Sequence, residues 1–99
     1  MTHKDLLSVA NDFGSPVYVY DAEKITSQYQ RLTNAFRVDE LRIHYAVKAL
    51  SNISILKLLN SLGCGLDTVS IQEVKLGIQA GVSPEKIIYT PNGVSLEEI

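Results

Sequence analysis

Short apolar runs recur along the chain from residue 43 onward, and each is followed by a stretch with helical periodicity. The runs begin at Ile43, Gly65 and Ile87, so successive runs start 22 residues apart. Parallel strands need a crossover connection, which a helix usually supplies, and the alternation therefore predicts parallel βα units. The equal spacing predicts an α/β fold built as part of a (β/α)8 TIM-type barrel.

The number of strands limits how complete such a barrel can be. A closed barrel needs eight strands and typically about 250 residues, whereas this 99-residue chain supplies three strands of the barrel type. Three parallel strands alone leave unpaired edges and a half-covered core. We therefore expect the chain to be the amino-terminal part of a larger protein, with residues 41–99 forming about three βα units. The alternative is a compact three-stranded α/β domain that stands alone.

Residues 1–40 are predicted to form a separate amino-terminal segment of helix, strand and helix. Apolar residues at near-helical spacing predict a helix over about residues 4–12, which Gly14 and the following Ser-Pro pair end. The β-branched and aromatic run at residues 17–20 predicts a short strand. Asp21 is a predicted N-cap for the next helix. The apolar face of that helix consists of Ile25, Tyr29, Leu32 and Phe36.

Helix boundaries in the barrel part also have recognisable signals. A helix over about residues 53–62 is predicted to end at Gly63, and the next helix is predicted to end at Gly81. The inward face of the first of these helices is predicted to consist of Ile53, Leu56, Leu59 and Leu62. Ser70 and Glu73 have the spacing of a capping box, in which each side chain satisfies a free amide of the first turn. Each predicted strand therefore leads into a helix with a defined start or stop.

Composition and charge argue against several classes of partner. The net charge is −2 and no block of lysines or arginines is present, so neither nucleic acid nor an anionic membrane surface is favoured. No stretch approaches the roughly 18 apolar residues of a membrane span, and the first residues lack a signal-peptide pattern. Cys64 is the single cysteine and is predicted to be a buried structural thiol. We expect a cytoplasmic protein.

Lys48 is the leading candidate for a chemical residue. In a strand over residues 43–50, the side chains of His44, Ala46 and Lys48 share one face. An ammonium group in apolar surroundings is costly unless it is paired or neutralised, and a lysine that loses its charge can form a Schiff base with a carbonyl. The alternative is that Lys48 extends from the strand end into water, with its alkyl stem covering apolar surface. His44, as a lone histidine, is more often a core residue than a ligand.

Two acidic residues are predicted to lie near Lys48. Active sites of βα barrels lie at the carboxyl ends of the strands, where Lys48 and the segments 67–70 and 90–93 would converge. Asp67 comes one βα unit after Lys48 and could pair with the ammonium or orient it. Asp67 could equally be a turn or capping acid, and Glu73 is better explained as a capping-box partner than as a catalyst. The sequence contains no metal-ligand cluster, glycine-rich phosphate loop or nucleophile elbow.

The segment His-Tyr-Ala-Val-Lys-Ala at residues 44–49 closely resembles the cofactor-lysine motif of the fold-type III, pyridoxal-phosphate-dependent amino-acid decarboxylases. Further segments resemble the same family in order and spacing over nearly the whole chain. They are residues 14–21, residues 66–70 together with Glu73, residues 81–89, and the pair Asn92-Gly93.

The resemblance implies a role for each candidate residue. It implies that Lys48 holds pyridoxal 5'-phosphate as a Schiff base and that Asp67 and Glu73 lie near the lysine and the cofactor. The ring of the cofactor would accept the electrons left when the α-carboxyl group departs as carbon dioxide. The family's phosphate-binding and substrate-binding residues occur later in its members, and a second subunit completes the active site. A homodimer and a small amino-acid substrate are therefore implied for the full-length protein.

The substrate within this family stays open. The early Tyr-Val-Tyr-Asp and the Asn-Gly turn most resemble the branch that decarboxylates meso-diaminopimelate to L-lysine. The lysine strand is shared with branches that act on ornithine, arginine or carboxynorspermidine. The chain departs from the motif at Leu50, where asparagine is common, and at residues 71–72, where a glycine pair usually stands. A non-catalytic barrel relative that binds or regulates is the alternative from another class.

Overall fold

Three short parallel strands form one sheet in a computed structural model that describes all residues from 1 to 99. The strands are β1 (His44–Ala46), β2 (Gly65–Thr68) and β3 (Ile87–Tyr89), and they lie in the order β1-β2-β3. The helices are α1 (His3–Phe13), α2 (Ala22–Ala35), α3 (Ile53–Ser61) and α4 (Ile71–Gln79). Single 3-10 turns occupy Val47–Ala49, Pro84–Lys86 and Leu96–Glu98. The α/β class and the parallel strand order agree with the expectation from the 22-residue spacing.

The register of the strands separates the two faces of the sheet. Tyr45 pairs with Leu66 and Leu66 with Ile87, and all three pack in or against the core beneath the helices. Because side chains alternate along a strand, the next row points to the opposite face. That row consists of Ala46, Asp67 and Ile88, and Ile88 is 44% exposed. One face of the sheet is therefore covered and the other is open.

The core lies between the sheet and helices α3 and α4. Its buried side chains are Val47, Leu56, Leu66, Ala80 and Val82. A glycine lets α4 approach β2 closely, because a Cβ atom built on Gly77 would lie 2.6 Å from Cδ1 of Leu66. Of the four residues predicted to face inward on α3, Leu56 and Leu59 are buried, and Ile53 and Leu62 are partly buried.

The helix boundaries agree with the capping signals in the sequence. The carboxylate of Asp21 accepts a hydrogen bond from the Lys24 amide at 3.2 Å, as predicted for an N-cap. Gly63 and Gly81, at φ +95° and +92°, follow α3 and α4 in the left-handed conformation that glycine adopts most easily. No helix combines the length and the apolar character that crossing a membrane requires.

The prediction of a strand at residues 17–20 is wrong. These residues adopt no regular structure, and the exposed fractions of Val17 and Tyr18 are 40% and 89%. β-Branched and aromatic residues favour an extended backbone, but a strand also needs a neighbour for its amides and carbonyls. The sheet of this chain contains β1, β2 and β3 only, so the run has no strand beside it.

The apolar run at residues 43–50 is a strand over its first half only. β1 ends at Ala46, and the chain then turns through Val47–Ala49. Val47 is fully buried in the core with Leu56 and Leu66, on the side of the sheet where Tyr45 also packs. The strand prediction is confirmed over His44–Ala46 and wrong over residues 47–50, because the chain turns after Ala46.

Cys64 is a buried thiol, as the sequence predicted. It is 1% exposed, and its Sγ atom lies 3.3 Å from the carbonyl of Ile43 and 3.2 Å from that of Gly65. Burial raises the pKa of the Cys64 thiol, against smaller lowering contributions from a backbone hydrogen bond of Tyr45 and from the charge of Lys86. The thiol is therefore neutral near pH 7.

We expect Cys64 to react with a chromogenic disulfide reagent on the order of a hundredfold more slowly in the native protein than in denaturant, because reaction requires opening of the core. The thiol pKa is higher in the folded than in the unfolded state, so its contribution to stability is complete below the unfolded value of about 8.5 and is lost as pH rises through the folded value. Urea unfolding between pH 7 and 10 measures this slope, which Cys64→Ala should reduce. Rapid labelling of the native protein at pH 7.5 would contradict the buried position.

Candidate functional site

The carboxyl ends of the three parallel strands bring the predicted site residues to one edge of the sheet. Asp67 lies in β2 beside Ala46 of β1 and Ile88 of β3. Lys48 follows β1 by two residues, and Thr90 follows β3 directly. In open and barrel α/β folds, ligands bind at this edge of the sheet. The structure therefore places Lys48 and Asp67 at the same end of neighbouring strands, as the sequence indicated.

The backbone that carries Lys48 is held on both sides, while the side chain is exposed. Val47 is fully buried and its carbonyl accepts the Leu50 amide at 3.1 Å, which closes the turn. The hydroxyl of Tyr45 donates to the carbonyl of Leu50 at 2.9 Å and ties the end of the turn to β1. Burial raises the pKa of this hydroxyl. Lys48 is thus an exposed amine on an anchored turn.

The ion pair between Lys48 and Asp67, which is one of the roles left open for Asp67, is not formed. The salt bridge in the structure joins the amino terminus to Asp21, and no ion pair involves Lys48. Oδ1 of Asp67 instead accepts a hydrogen bond from the hydroxyl of Thr90 at 2.9 Å. The amine of Lys48 is consequently not committed to a carboxylate of this chain.

Glu73 has the structural role that the capping pattern indicated, with one difference. The Ser70 hydroxyl accepts the Glu73 amide at 3.2 Å, as in a capping box. The carboxylate of Glu73 accepts from the amide of Val69 at 2.8 Å rather than from the amide of Ser70. Glu73 therefore fastens the link between β2 and α4, directly after the strand that carries Asp67.

Thr90 is a residue of this edge to which sequence reasoning gave no individual role. The sequence predicts that segment 90–93 converges on the site. A threonine directly after a strand has no distinctive pattern, however, so Thr90 does not stand out within that segment. The available signal was spacing, because Thr90 comes 23 residues after Asp67, close to one βα unit.

None of the pockets is lined by Lys48 or Asp67. A pocket of about 280 Å³ at the amino ends of the strands is lined by Arg42, His44 and Lys86 among others. An apolar groove of about 490 Å³ runs between α2 and β1. The carboxyl edge of the sheet is an open surface in this chain, so it forms no enclosed cavity. His44 lies at the other end of β1, where its ring packs over Gly65.

A family model described as pyridoxal-dependent decarboxylase, pyridoxal binding domain, matches residues 22–99. Diaminopimelate decarboxylase of Methanothermobacter thermautotrophicus is 35% identical over 97 residues, which are 96% of this chain and 23% of that protein. The chain thus spans about a quarter of the length of this curated relative.

Solved structures resemble the chain at similar coverage. Diaminopimelate decarboxylase from Helicobacter pylori, complexed with L-lysine, superposes with a TM-score of 0.83 at 36% identity, over 98% of this chain and 24% of that one. Lysine/ornithine decarboxylase from Vibrio vulnificus, complexed with cadaverine, gives a TM-score of 0.88 at 27% identity, over 97% and 26%. The anchored lysine turn, the parallel sheet and the match over residues 22–99 lead to one conclusion: the chain belongs to the pyridoxal-dependent decarboxylases and carries sequence of their pyridoxal binding domain.

Proposed function

We propose that this chain is the amino-terminal part of a pyridoxal-phosphate-dependent enzyme that converts meso-diaminopimelate into L-lysine and carbon dioxide. The observation that carries the proposal is an exposed, unpaired lysine on an anchored turn at the carboxyl edge of the sheet, within the residues that match the pyridoxal binding domain. The activity belongs to the full-length protein, by which we mean the longer polypeptide that supplies the rest of the barrel.

The residues of this chain are suited to bind the aldehyde group of pyridoxal phosphate. An aldehyde is captured by an amine that is free of competing ion pairs, and the amine of Lys48 meets that condition. When bound, pyridoxal phosphate supplies an electron sink for the electron pair released as the α-carboxyl group leaves. Lys48 would hold the cofactor by its aldehyde carbon, and the Tyr45 and Val47 contacts keep its turn in place. The groups that bind the phosphate are assigned to the remainder of the full-length protein.

The two acidic residues take different roles in this proposal. Asp67 lies on the open face beside β1 and contributes a carboxylate near the lysine. Glu73 supports the cofactor site indirectly, because its carboxylate holds the Val69 amide immediately after β2. In the overall reaction the bond between the α-carbon and its carboxylate carbon breaks, carbon dioxide leaves, and a proton takes its place.

We further propose that residues 41–99 are three βα units of an eight-stranded barrel and that residues 1–40 are a separate leading segment. The open face of the sheet supports this arrangement, since Ala46, Asp67 and Ile88 would face the barrel interior. β1 and β3 each have one unpaired edge, to which further strands could add. The homodimer that the family resemblance implies is part of the same proposal.

The choice of meso-diaminopimelate follows from the named relatives. Proteins named diaminopimelate decarboxylase are 35% and 36% identical to this chain in sequence and structure comparison, against 27% for the lysine/ornithine enzyme. L-Lysine, which occupies the Helicobacter structure, is the product expected from meso-diaminopimelate. The ornithine, arginine and carboxynorspermidine enzymes are the competing assignments.

The test uses the full-length protein incubated with pyridoxal phosphate and then with each of four substrates in separate reactions. These are meso-diaminopimelate, ornithine, arginine and carboxynorspermidine. We expect a near-visible absorption band, and release of carbon dioxide with formation of L-lysine from meso-diaminopimelate. Turnover of another substrate alone would reassign the branch. A protein that shows neither the band nor carbon dioxide release would be a non-catalytic relative.

A further inference from the structure

We propose that Thr90 is a positioning residue that orients the carboxylate of Asp67 toward the cofactor-binding lysine. The proposal rests on the proposed function, because it assigns Thr90 a task at that same site. Thr90 lies outside the strands and is exposed, so it is not part of the apolar core. Its hydroxyl nevertheless makes a specific contact across the end of the sheet.

The geometry fixes where the single hydroxyl proton of Thr90 goes. Oγ1 of Thr90 lies 2.9 Å from Oδ1 of Asp67 and 3.3 Å from the carbonyl oxygen of Thr68. That carbonyl already accepts the backbone amide of Thr90 at 2.8 Å. A carboxylate is the stronger acceptor and lies nearer, so the hydroxyl donates to Asp67.

No other side chain of this chain holds Asp67. Its neighbours in the register are Ala46 and Ile88, whose side chains have no polar atoms. Oδ1 is bound by Thr90, whereas Oδ2 has no hydrogen-bond or ion-pair partner in this chain. The arrangement therefore fixes one carboxylate oxygen and leaves the other available at the edge of the sheet that carries Lys48.

Fixing the carboxylate has a consequence for binding. A carboxylate that is already oriented loses less side-chain freedom when it engages a partner than one that rotates freely. At metal sites, removing the outer partner of a ligand costs about 10- to 100-fold in affinity or activity, and we take the lower end of that range for this cofactor. We therefore expect loss of the Thr90 hydroxyl to weaken cofactor binding about tenfold.

The experiment compares Thr90→Val and Thr90→Ser in the full-length protein. Valine keeps the branched shape and removes the hydroxyl, whereas serine keeps the hydroxyl. The dissociation constant for pyridoxal phosphate is measured by absorption titration of the apoprotein, and the thermal midpoint is recorded for each variant. We expect about tenfold weaker binding for Thr90→Val and binding within twofold of wild type for Thr90→Ser. Thr33→Val is the matched control, because the Thr33 hydroxyl bonds only the Gln30 carbonyl within α2.

A double-mutant cycle tests whether Thr90 acts through Asp67. In an Asp67→Ala background, adding Thr90→Val should change the dissociation constant less than twofold, because the acceptor of the Thr90 hydroxyl is already absent. An equal loss in both backgrounds would overturn the proposal, and so would wild-type affinity of Thr90→Val. If Thr90→Val does not fold, Thr90→Ala provides the same comparison. Absence of the near-visible band in the wild-type protein would instead overturn the proposed function itself.

Discussion

Replacing Lys48 with alanine in the full-length protein is expected to abolish the near-visible band of the bound cofactor and to lower kcat/KM about 10³-fold, within the range that a positioned catalytic group contributes. The physical reason is that the proposed function makes the amine of Lys48 the attachment point for the aldehyde, and alanine offers no nucleophile there. Absorption spectroscopy and release of carbon dioxide measure the two effects. The fold should be unaffected, because the Lys48 side chain is exposed and forms no ion pair.

Two further variants separate chemistry from charge. Lys48→Arg keeps a positive charge on the same turn but removes the amine, so we expect it to lose the band as completely as alanine does. Lys57→Ala removes an exposed lysine of α3 and should leave band and turnover unchanged. Retention of the band in Lys48→Ala would exclude Lys48 as the attachment point.

Local signals in the sequence were sufficient to predict the βα units. The stops at Gly63 and Gly81 and the cap at Asp21 act within a few residues, so the sequence alone reveals them. The apolar periodicity of α3 likewise predicted the burial of Leu56 and Leu59. These features depend on the backbone of one turn or one helix, and distant parts of the chain do not alter them.

The two failures of the sequence reading depend on distant contacts. Residues 17–20 have the composition of a strand, but strand formation requires a neighbour that this chain does not place beside them. The strand predicted at residues 43–50 ends at Ala46, which is the last residue of β1 that pairs with β2, a strand further along the chain. Neither outcome can be read from the run itself.

The location of the site was predictable, whereas its hydrogen bonds were not. Spacing alone placed Lys48 and Asp67 at the carboxyl ends of adjacent strands, since parallel units repeat their geometry. The partner of Asp67 depends on which side chain lies nearest across β3, and Thr90 reaches it at 2.9 Å. That choice depends on distances of a few ångströms, which spacing does not determine.

Replacing Gly65 with alanine is expected to destabilise the protein by about 3 kcal/mol, near the upper end of the usual cost of overpacking. A Cβ atom built on Gly65 would lie 2.6 Å from the carbonyl oxygen of Lys86 and 2.8 Å from Cδ2 of His44. The histidine ring can rotate, but the carbonyl belongs to the backbone leading into β3. Relief therefore requires β2 and β3 to separate at their amino ends, which would also disturb the strand that carries Asp67.

Controls distinguish this steric effect from the general cost of losing a glycine. Gly93→Ala places a side chain in open space at φ +64°, so only backbone strain of about 1 to 2 kcal/mol is expected. The double variant Gly65→Ala with His44→Ala removes the ring and leaves the Lys86 carbonyl in place. Urea unfolding of the four proteins, wild type included, measures the differences. Because the backbone contact dominates, we expect the double variant to stay at least as unstable as Gly65→Ala, and recovery of wild-type stability would assign the clash to the imidazole instead.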